Sequence, residues 1–265
     1  MKKRHILALG GLAAPMLAVL ITRLHGYDPT TDVDSSRASV GPSAAHWLGT
    51  DHLGRDVAWR VVAASEAFVA PALGACLVAF VLGVGGGAVA GWFGGPIASA
   101  IRYAFTVVSS LPRFVIILLA CAVYGNHPAV LSLIAGVAYV PTVGEAVFTR
   151  IEAFRSAEFV LAAEAHGVHP LRVLLYHLLW VSGRKLVARH LLHLFGYFVV
   201  LETTLSYIGG FGVAEPQPSW GNMLAFEWGM RDGNPWAARA PAVALWLVVL
   251  SAAVLAEALG EGEDG

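Results

Sequence analysis

Six apolar runs divide the chain, at about residues 6–22, 67–93, 104–124, 128–148, 191–209 and 240–259, with polar and Gly/Pro-rich stretches between them. Each approaches the roughly 20 residues that carry a helix across a hydrocarbon core. Lipid offers backbone N–H and C=O groups no outside partners, so every run is expected to be helical. The pattern predicts an all-α integral membrane protein with six transmembrane helices. It divides into an N-terminal helix plus extracytoplasmic segment over 1–66, a five-helix core over 67–260 and a short acidic tail over 261–265. Pro15, Pro71, Pro112 and Pro141 are expected to kink their helices or mark their ends.

The first run follows Met1-Lys2-Lys3-Arg4-His5, as the apolar part of a signal peptide would. No small-x-small cleavage site closes it, and Thr22-Arg23-Leu24-His25 follows directly, so it reads as a retained span. Orientation follows from basic residues in the loops. With a cytoplasmic N-terminus, the inner side holds Lys2, Lys3, Arg4, Arg102, Arg150, Arg155, Arg172, Arg184, Lys185 and Arg189, ten in all. The outer side holds six, Arg23, Arg37, Arg55, Arg60, Arg231 and Arg239. Both termini and the loop at about 149–190 are therefore expected in the cytoplasm.

Composition agrees with the pattern. The 265 residues are 57% hydrophobic and 13% charged, about half the charge usual in a soluble protein. The formal net charge of −1 provides no field that would recruit nucleic acid. Cys76 and Cys121 both lie inside apolar runs and read as small buried residues, not as a metal site or disulfide framework.

Within the spans, Gly83, Gly87, Gly91 and Gly95 recur every four residues, a flat ridge on which another helix can approach closely. Arg113, just after Pro112, is costly in lipid; it either lines a translocation path or snorkels to the inner interface. Glu202 in the fifth run is expected to face the interior or the path. Among the ten histidines, His166 and His169 sit close together, and His190 and His193 share a helical face. Such pairs can ligate metal, but near the inner interface basic or hydrogen-bonding roles are commoner, and no metal site is assigned.

The cytoplasmic loop is locally organised. Residues Glu152 to Ala165 are good helix formers, with Phe154, Leu161 and Ala165 on one face and Glu152, Arg155 and Ser156 largely off it. Gly167 stands where a left-handed residue ends a helix, and Pro170 suits the first turn of a second helix through Leu171–Leu179. The expected result is two short helices meeting at a tight elbow, with a shallow surface at Ala162 and Ala163. That knuckle suits either a groove on a soluble partner or an interfacial position on lipid.

Outside the membrane, Gly49 and Gly54 with neighbouring Asp and Arg residues read as a turn-rich segment. Asp51 or Asp56 is expected to pair with Arg55 or Arg60, an exposed pair contributing only about 0–1 kcal/mol. Pro216, Pro218 and Gly221 are expected to keep the loop between spans five and six non-helical. Trp220, Trp228 and Trp236 suit a membrane interface.

Three stretches resemble a known family. "HWLGTDHLGRDV" (His46–Val57) is similar to the His-Pro-Leu-Gly-Thr-Asp-x-x-Gly-Arg-Asp signature of ABC importer permeases of the dipeptide, oligopeptide and nickel (DppC/OppC-like) family. Leu48, Gly49, Thr50, Asp51, Gly54, Arg55 and Asp56 match it, and Trp47 stands in place of Pro. "LSYIGGFGVAEPQPSWGNML" (Leu205–Leu224) resembles the same family's outer loop through Pro218, Ser219, Trp220 and Gly221, and "GWFGG" (Gly91–Gly95) also fits. The elbow resembles the family's Glu-Ala-Ala-x-x-x-Gly coupling loop at Ala162, Ala163 and Gly167, continuing through Val168 and Pro170. Leu161 replaces the usual acidic residue there, and Trp180 replaces a Pro.

The resemblance covers about residues 40–260. It implies a type I ABC importer permease fold in the bacterial cytoplasmic (inner) membrane. It implies half of a translocation pore shared with a second homologous permease, a coupling helix on separate ABC ATPase subunits, and an outer surface facing an extracytoplasmic substrate-binding protein. No Gly-x-x-x-x-Gly-Lys-Ser/Thr phosphate loop is present, so ATP and Mg are expected to be handled by partner subunits and this chain is not an enzyme. Peptide is the expected cargo, with a nickel or other metal chelate, or another small solute, as the alternative. A self-sufficient secondary transporter would want mid-membrane ionisable residues and an inverted repeat. An intramembrane enzyme would want His-Glu-x-x-His or Gly-x-Ser-x-Gly, and neither motif occurs.

Overall fold

A computed structural model describes residues 2–26, 28, 31–227 and 233–260. Trp228, Arg231 and the acidic tail 261–265 lie outside the described residues. Those described form helices and connecting segments, with one isolated antiparallel bridge between Thr50 and Asp56.

Helix α1 spans Lys2–His25. After the outer segment come α2 (Val57–Ala63), α3 (Glu66–Ala79) and α4 (Gly85–Phe93), the last two joined by a π-helical turn at Phe80–Val84. α5 (Gly95–Ser109) and α6 (Arg113–Tyr124) precede the long α7 (Pro128–Arg155). α8 (Glu158–Ala165) and a short α9 (Pro170–Arg172) form the elbow. A π-helical stretch over Val173–Gly183 then leads into α10 (Arg184–Ile208). α11 (Trp220–Glu227) and α12 (Trp236–Gly260) complete the chain order. Among the described residues, five helical units are long and apolar enough to cross a membrane, and a sixth results if the bent pair α5–α6 counts as one span.

Several boundaries differ from those the hydrophobic pattern predicts. The expected straight span 104–124 is two helices meeting at 74°. Pro112 caps α6 in an extended conformation; its ring clashes with a helical Leu111, and it supplies no N–H to bond the preceding turn. Pro15, Pro71 and Pro141 instead lie inside α1, α3 and α7. The expected helix Glu152–Ala165 is also divided, because α7 continues to Arg155 and ends at Ser156. Phe154 consequently packs into the core while Leu161 and Ala165 are exposed, so the three do not share a face. The second elbow helix does not stop at Leu179 but continues through the π-helical stretch into α10. In the outer loop, Gly221 lies inside α11 and does not keep residues 220–227 non-helical.

The centre of the molecule is the close approach of α3–α4 to α7. A methyl group on Gly83 would lie 2.9 Å from Val143 Cβ, and one on Gly91 would lie 2.8 Å from Ile151 Cβ. A methyl on Gly87 would collide with the Gly144 carbonyl, and Gly136 on α7 faces Val78 and the Ala75 carbonyl in the same way. Gly95 is not part of this ridge: it lies beyond the left-handed Gly94, itself has φ +55°, and has open space around it. Two apolar clusters flank the seam. One gathers Phe68, Phe195, Phe198 and Trp220 from α3, α10 and α11, and the other gathers Val143, Val147, Ile151, Val160 and Val173 near the elbow.

The seam makes a clear prediction. Gly87→Val should destabilise the protein by about 1–3 kcal/mol through overpacking, read as a lower melting temperature in detergent. Gly85→Ala, two residues earlier, in open space and with no positive φ, should be neutral or slightly stabilising.

Candidate functional site

The outer segment is folded around its polar residues. Gly49 (φ +75°) and Gly54 (φ +79°) both take left-handed conformations, and side chains there would strike the Val40 and Asp34 carbonyls respectively. Between them the Asp51 carboxylate accepts from the Leu53 and Arg55 backbone N–H groups, both at 2.9 Å, closing the turn. The Thr50 hydroxyl donates to the Arg37 carbonyl and accepts from the Val40 N–H at 2.9 Å. Asn234, just before α12, donates to the Leu48 carbonyl at 2.6 Å and the Thr50 carbonyl at 3.2 Å. The matched signature residues are thereby tied to the last span.

The charged residues do not form the exposed pair anticipated from sequence. Arg55 and Arg60 have side chains only 1% exposed. Arg55 Nε donates to Asp51 at 2.7 Å, and its terminal nitrogens reach both oxygens of Glu215, at 2.5 and 3.3 Å. Arg60 donates to Glu215 at 2.8 Å, and its Nε lies 3.2 Å from Asp51 without making a hydrogen bond. Burial alone would lower the Arg55 pKa, but its hydrogen bond to Glu215 and the charge of Asp51 hold it above its ordinary value. Asp56 takes another part. It caps α2 by accepting from the Trp59 N–H at 2.9 Å and meets His46 Nδ1 at 2.8 Å. Nothing local marks Glu215 as a partner: it lies 160 residues from Arg55 in a loop of prolines and glycines.

The outer-loop motif is a helix start packed into the core. The Ser219 hydroxyl accepts from the Asn222 N–H at 3.1 Å, and the Asn222 side chain accepts from the Ser219 N–H at 3.0 Å, a reciprocal cap on α11. Trp220 is 3% exposed, packs against Phe68 with the rings tilted at 48° and donates from its indole to the Val61 carbonyl at 3.1 Å. It is therefore a core residue and not the interface anchor expected of it, whereas Trp236 remains exposed. Gly221 has α10 so close that a methyl group would meet the Thr203 carbonyl. Pro218 stands directly before this cap in the irregular stretch.

Inside the membrane region, Glu202 on α10 is 1% exposed and accepts from the Ser206 hydroxyl at 2.6 Å, which also accepts from the Val213 N–H at 2.8 Å. Its other oxygen has no hydrogen-bond partner among the described residues. Arg113 is half-buried, donating to Thr142 at 2.6 Å with its guanidinium 4.9 Å from the Tyr139 ring centroid. It rests on α7 rather than reaching into lipid.

At the elbow, Gly167 has φ +76° with no atom near the position of a missing Cβ. His169 caps α9 by accepting from the Leu171 N–H, with Pro170 in its first turn. Ala162, Gly167 and Pro170 are exposed, while Ala163 and Val168 are half-buried against Val160 and Val173. His166 Nδ1 meets the Ala162 carbonyl at 2.8 Å, and His190 Nδ1 meets the Leu186 carbonyl at 2.8 Å. Among the described residues no three His, Cys, Asp or Glu side chains converge as a metal group.

Bundled apolar spans with a folded polar cap and an exposed helical elbow describe a multi-pass membrane protein. Residues 83–262 match the family of binding-protein-dependent transport system inner membrane components. The chain belongs to that family, and it is a multi-pass inner-membrane permease subunit of an ABC importer. It is 27% identical to the dipeptide transport system permease protein DppC of Alkalihalophilus pseudofirmus, over 99% of this chain and 86% of the relative. It is 25% identical to the glutathione transport system permease protein GsiD of Pectobacterium atrosepticum, over 99% and 87%. It is 26% identical to the nickel transport system permease protein NikC of Escherichia coli, over 90% and 85%.

Glu215→Ala leaves two buried guanidinium groups short of a counter-charge and should cost about 3–5 kcal/mol. Thermal unfolding would measure the loss, and limited proteolysis should show earlier cleavage between residues 209 and 219.

Proposed function

We propose that this chain forms half of a translocation pore for peptides, energised by separate ABC ATPase subunits that seat on the elbow of α8 and α9. The observation that carries this reading is the elbow. Ala162, Gly167 and Pro170 present a small, exposed surface, while Ala163 and Val168 bind the same turn to the core. A surface that is shallow outside and anchored inside can receive a push without unfolding. The ATPases would hydrolyse ATP with Mg, since this sequence carries no phosphate-binding loop of its own. A second, related permease would complete the pore, and a substrate-binding protein would deliver cargo to the outer face. Both termini would lie in the cytoplasm, with residues 1–66, 67–260 and 261–265 as anchor-and-cap, transport core and tail. Peptide cargo is favoured because relatives matching nearly the whole chain are named for a dipeptide and for glutathione, itself a tripeptide. The relative named for nickel makes a metal chelate the competing cargo. Alternating access is then a shift between inward-open and outward-open populations biased by nucleotide.

Purification from native membranes in mild detergent, with partners identified by mass spectrometry, tests the assembly. Peptide and nickel uptake into proteoliposomes holding the recovered complex tests the cargo. Recovery of ATPases and a second permease is expected, with ATP-dependent peptide uptake; solute movement by this chain alone without ATP would refute the reading. Gly167→Val forces a β-branched residue into a left-handed conformation that costs about 1–2 kcal/mol. It should cut ATP-driven uptake roughly tenfold while the melting temperature stays within a few degrees of the parent.

A further inference from the structure

We propose that the exposed face of α5, the start of α6 and the facing side of α7 form a water-lined wall of the translocation path, and that Arg113 in that wall takes the carboxylate of the cargo. The inference rests on the proposed role as half of an importer pore and adds to it the residue that selects among solutes.

Arg113 directly follows the 74° bend of the α5–α6 span, and its partner Thr142 lies halfway along the 28 residues of α7. The contact is therefore at the depth of the hydrocarbon core, where a guanidinium must face water or charge. Among the described residues Arg113 has the Thr142 hydroxyl and the Tyr139 ring but no carboxylate. The exposed faces of the helices show which side is wet. On α12, Val243, Trp246, Leu247 and Leu250 are exposed at the i, i+3, i+4, i+7 spacing of one face and are all apolar, as contact with acyl chains requires. On α5, Ser99, Arg102, Thr106 and Ser109 fall at i, i+3, i+7 and i+10 and are all exposed. Thr142, Glu145 and Thr149 repeat that spacing on α7, and Arg102 Nε lies 3.3 Å from both Glu145 oxygens. This ion pair continues the polar strip from Arg113 toward the elbow with 51% and 38% of its side-chain surfaces open.

The two arginines differ in what they can offer. Arg102 is matched by Glu145, whereas the charge of Arg113 is unmatched. On its other side Arg113 meets an apolar groove of about 660 Å³, lined by Val107, Leu111, Ile116, Ala120, Ile134 and Ala138. Ile116 and Ala120 stand at i+3 and i+7 from Arg113 on α6, and Ala138 stands one turn before Thr142 on α7, so the guanidinium lies at one end of the groove. A cation at the end of an apolar groove suits a solute that joins a carboxylate to an apolar body. Guanidinium N–H groups meet a carboxylate as two parallel hydrogen bonds, which fixes orientation as well as charge. The free C-terminus of a short peptide has that chemistry.

Thiol labelling of the complex purified from native membranes and held in proteoliposomes tests the wall, with the parent giving the background of Cys76 and Cys121. Thr106→Cys should react with water-soluble methanethiosulfonates at least roughly tenfold faster than Val243→Cys, because the reacting thiolate forms only where water reaches it. In Thr106→Cys, adding Arg113→Gln should lower the rate with the anionic sulfonatoethyl reagent relative to the cationic trimethylammonioethyl reagent by roughly tenfold. Arg113→Gln alone should cut ATP-driven dialanine uptake roughly tenfold, with Arg113→Lys restoring most of it. Equal labelling of Thr106→Cys and Val243→Cys would put the α5 face in lipid and overturn the proposal. An unchanged reagent ratio or unchanged dialanine uptake in Arg113→Gln would remove the carboxylate role. Loss of the second permease from Arg113→Gln preparations would show that Arg113 pairs with that chain instead, and would equally defeat the idea. Labelling needs no ATP, so failure of the wall shows there, whereas failure of the importer reading shows as absent uptake in the parent.

Discussion

The close backbone approach between α3–α4 and α7 is the constraint on which the rest of the structure depends. Within lipid there is no hydrophobic drive to join helices, so association rests on van der Waals contact and hydrogen bonds. Glycine permits both axes to come near enough for dense contact, and here each helix contributes some: Gly83, Gly87 and Gly91 on one side, Gly136 and Gly144 on the other. The pair forms a spine running from the outer region, where the Ser132 hydroxyl donates to the Pro71 carbonyl at 2.9 Å, to Ile151 near the elbow. The other helices pack around it, and Phe105 of α5 lies directly against Gly144.

The outer polar network solves a different problem. Burying two guanidinium groups is expensive unless charge and hydrogen bonding offset it. Asp51 and Glu215 supply the charge, and the Asp51 carboxylate also closes its own turn. Such a network need not raise stability above that of an apolar alternative, but it discriminates sharply between correct and incorrect juxtaposition of the two loops. Asn234 adds a third segment to the same assembly through backbone carbonyls. The outer face is thus one folded cap drawing on three regions of sequence.

Much of this architecture was legible beforehand because it is local or periodic. Gly167 and Pro170 announce the elbow through backbone geometry, and the apolar runs announce the spans. Where the reading failed, a distant partner decided the outcome. Trp220 has the amphipathic profile of an interface residue, but the Val61 carbonyl satisfies its indole N–H and Phe68 covers its ring, so it is buried. The Arg55–Glu215 contact joins residues 160 apart, and no local pattern encodes it. The 74° break at Pro112 was foreshadowed by the proline, yet hydropathy averages across a bend. The continuation of the second elbow helix into α10 was hidden for the opposite reason: polar residues such as Arg184 and Lys185 interrupt the apolar run without interrupting the helix.

That continuation makes the two sides of the elbow mechanically unequal. On one side, α8 follows α7 after only Ser156 and Ala157, with Phe154 and Phe159 in ring contact at 6.1 Å and Val160 buried beside Ile151. A displacement of α8 is passed directly to a regular helix of 28 residues that is locked into the glycine spine. On the other side, the 11 residues Val173–Gly183 are π-helical, a wider and less favoured winding that regular α-helix can replace by a shift of register. Arg150 of α7 crosses between the sides, donating to the Ser182 carbonyl at 3.2 Å at the far end of that stretch. The elbow therefore has a regular connection and a π-helical one, joined by the Arg150 hydrogen bond and by the apolar cluster that holds Val147 and Ile151 with Val173 and Leu178. A load at Ala162 and Gly167 would move α7 as a body, while the π-helical stretch absorbs the mismatch before α10. On the proposed seating of ATPase subunits at the elbow, such an arrangement favours relative motion of the two helices over movement of the whole bundle.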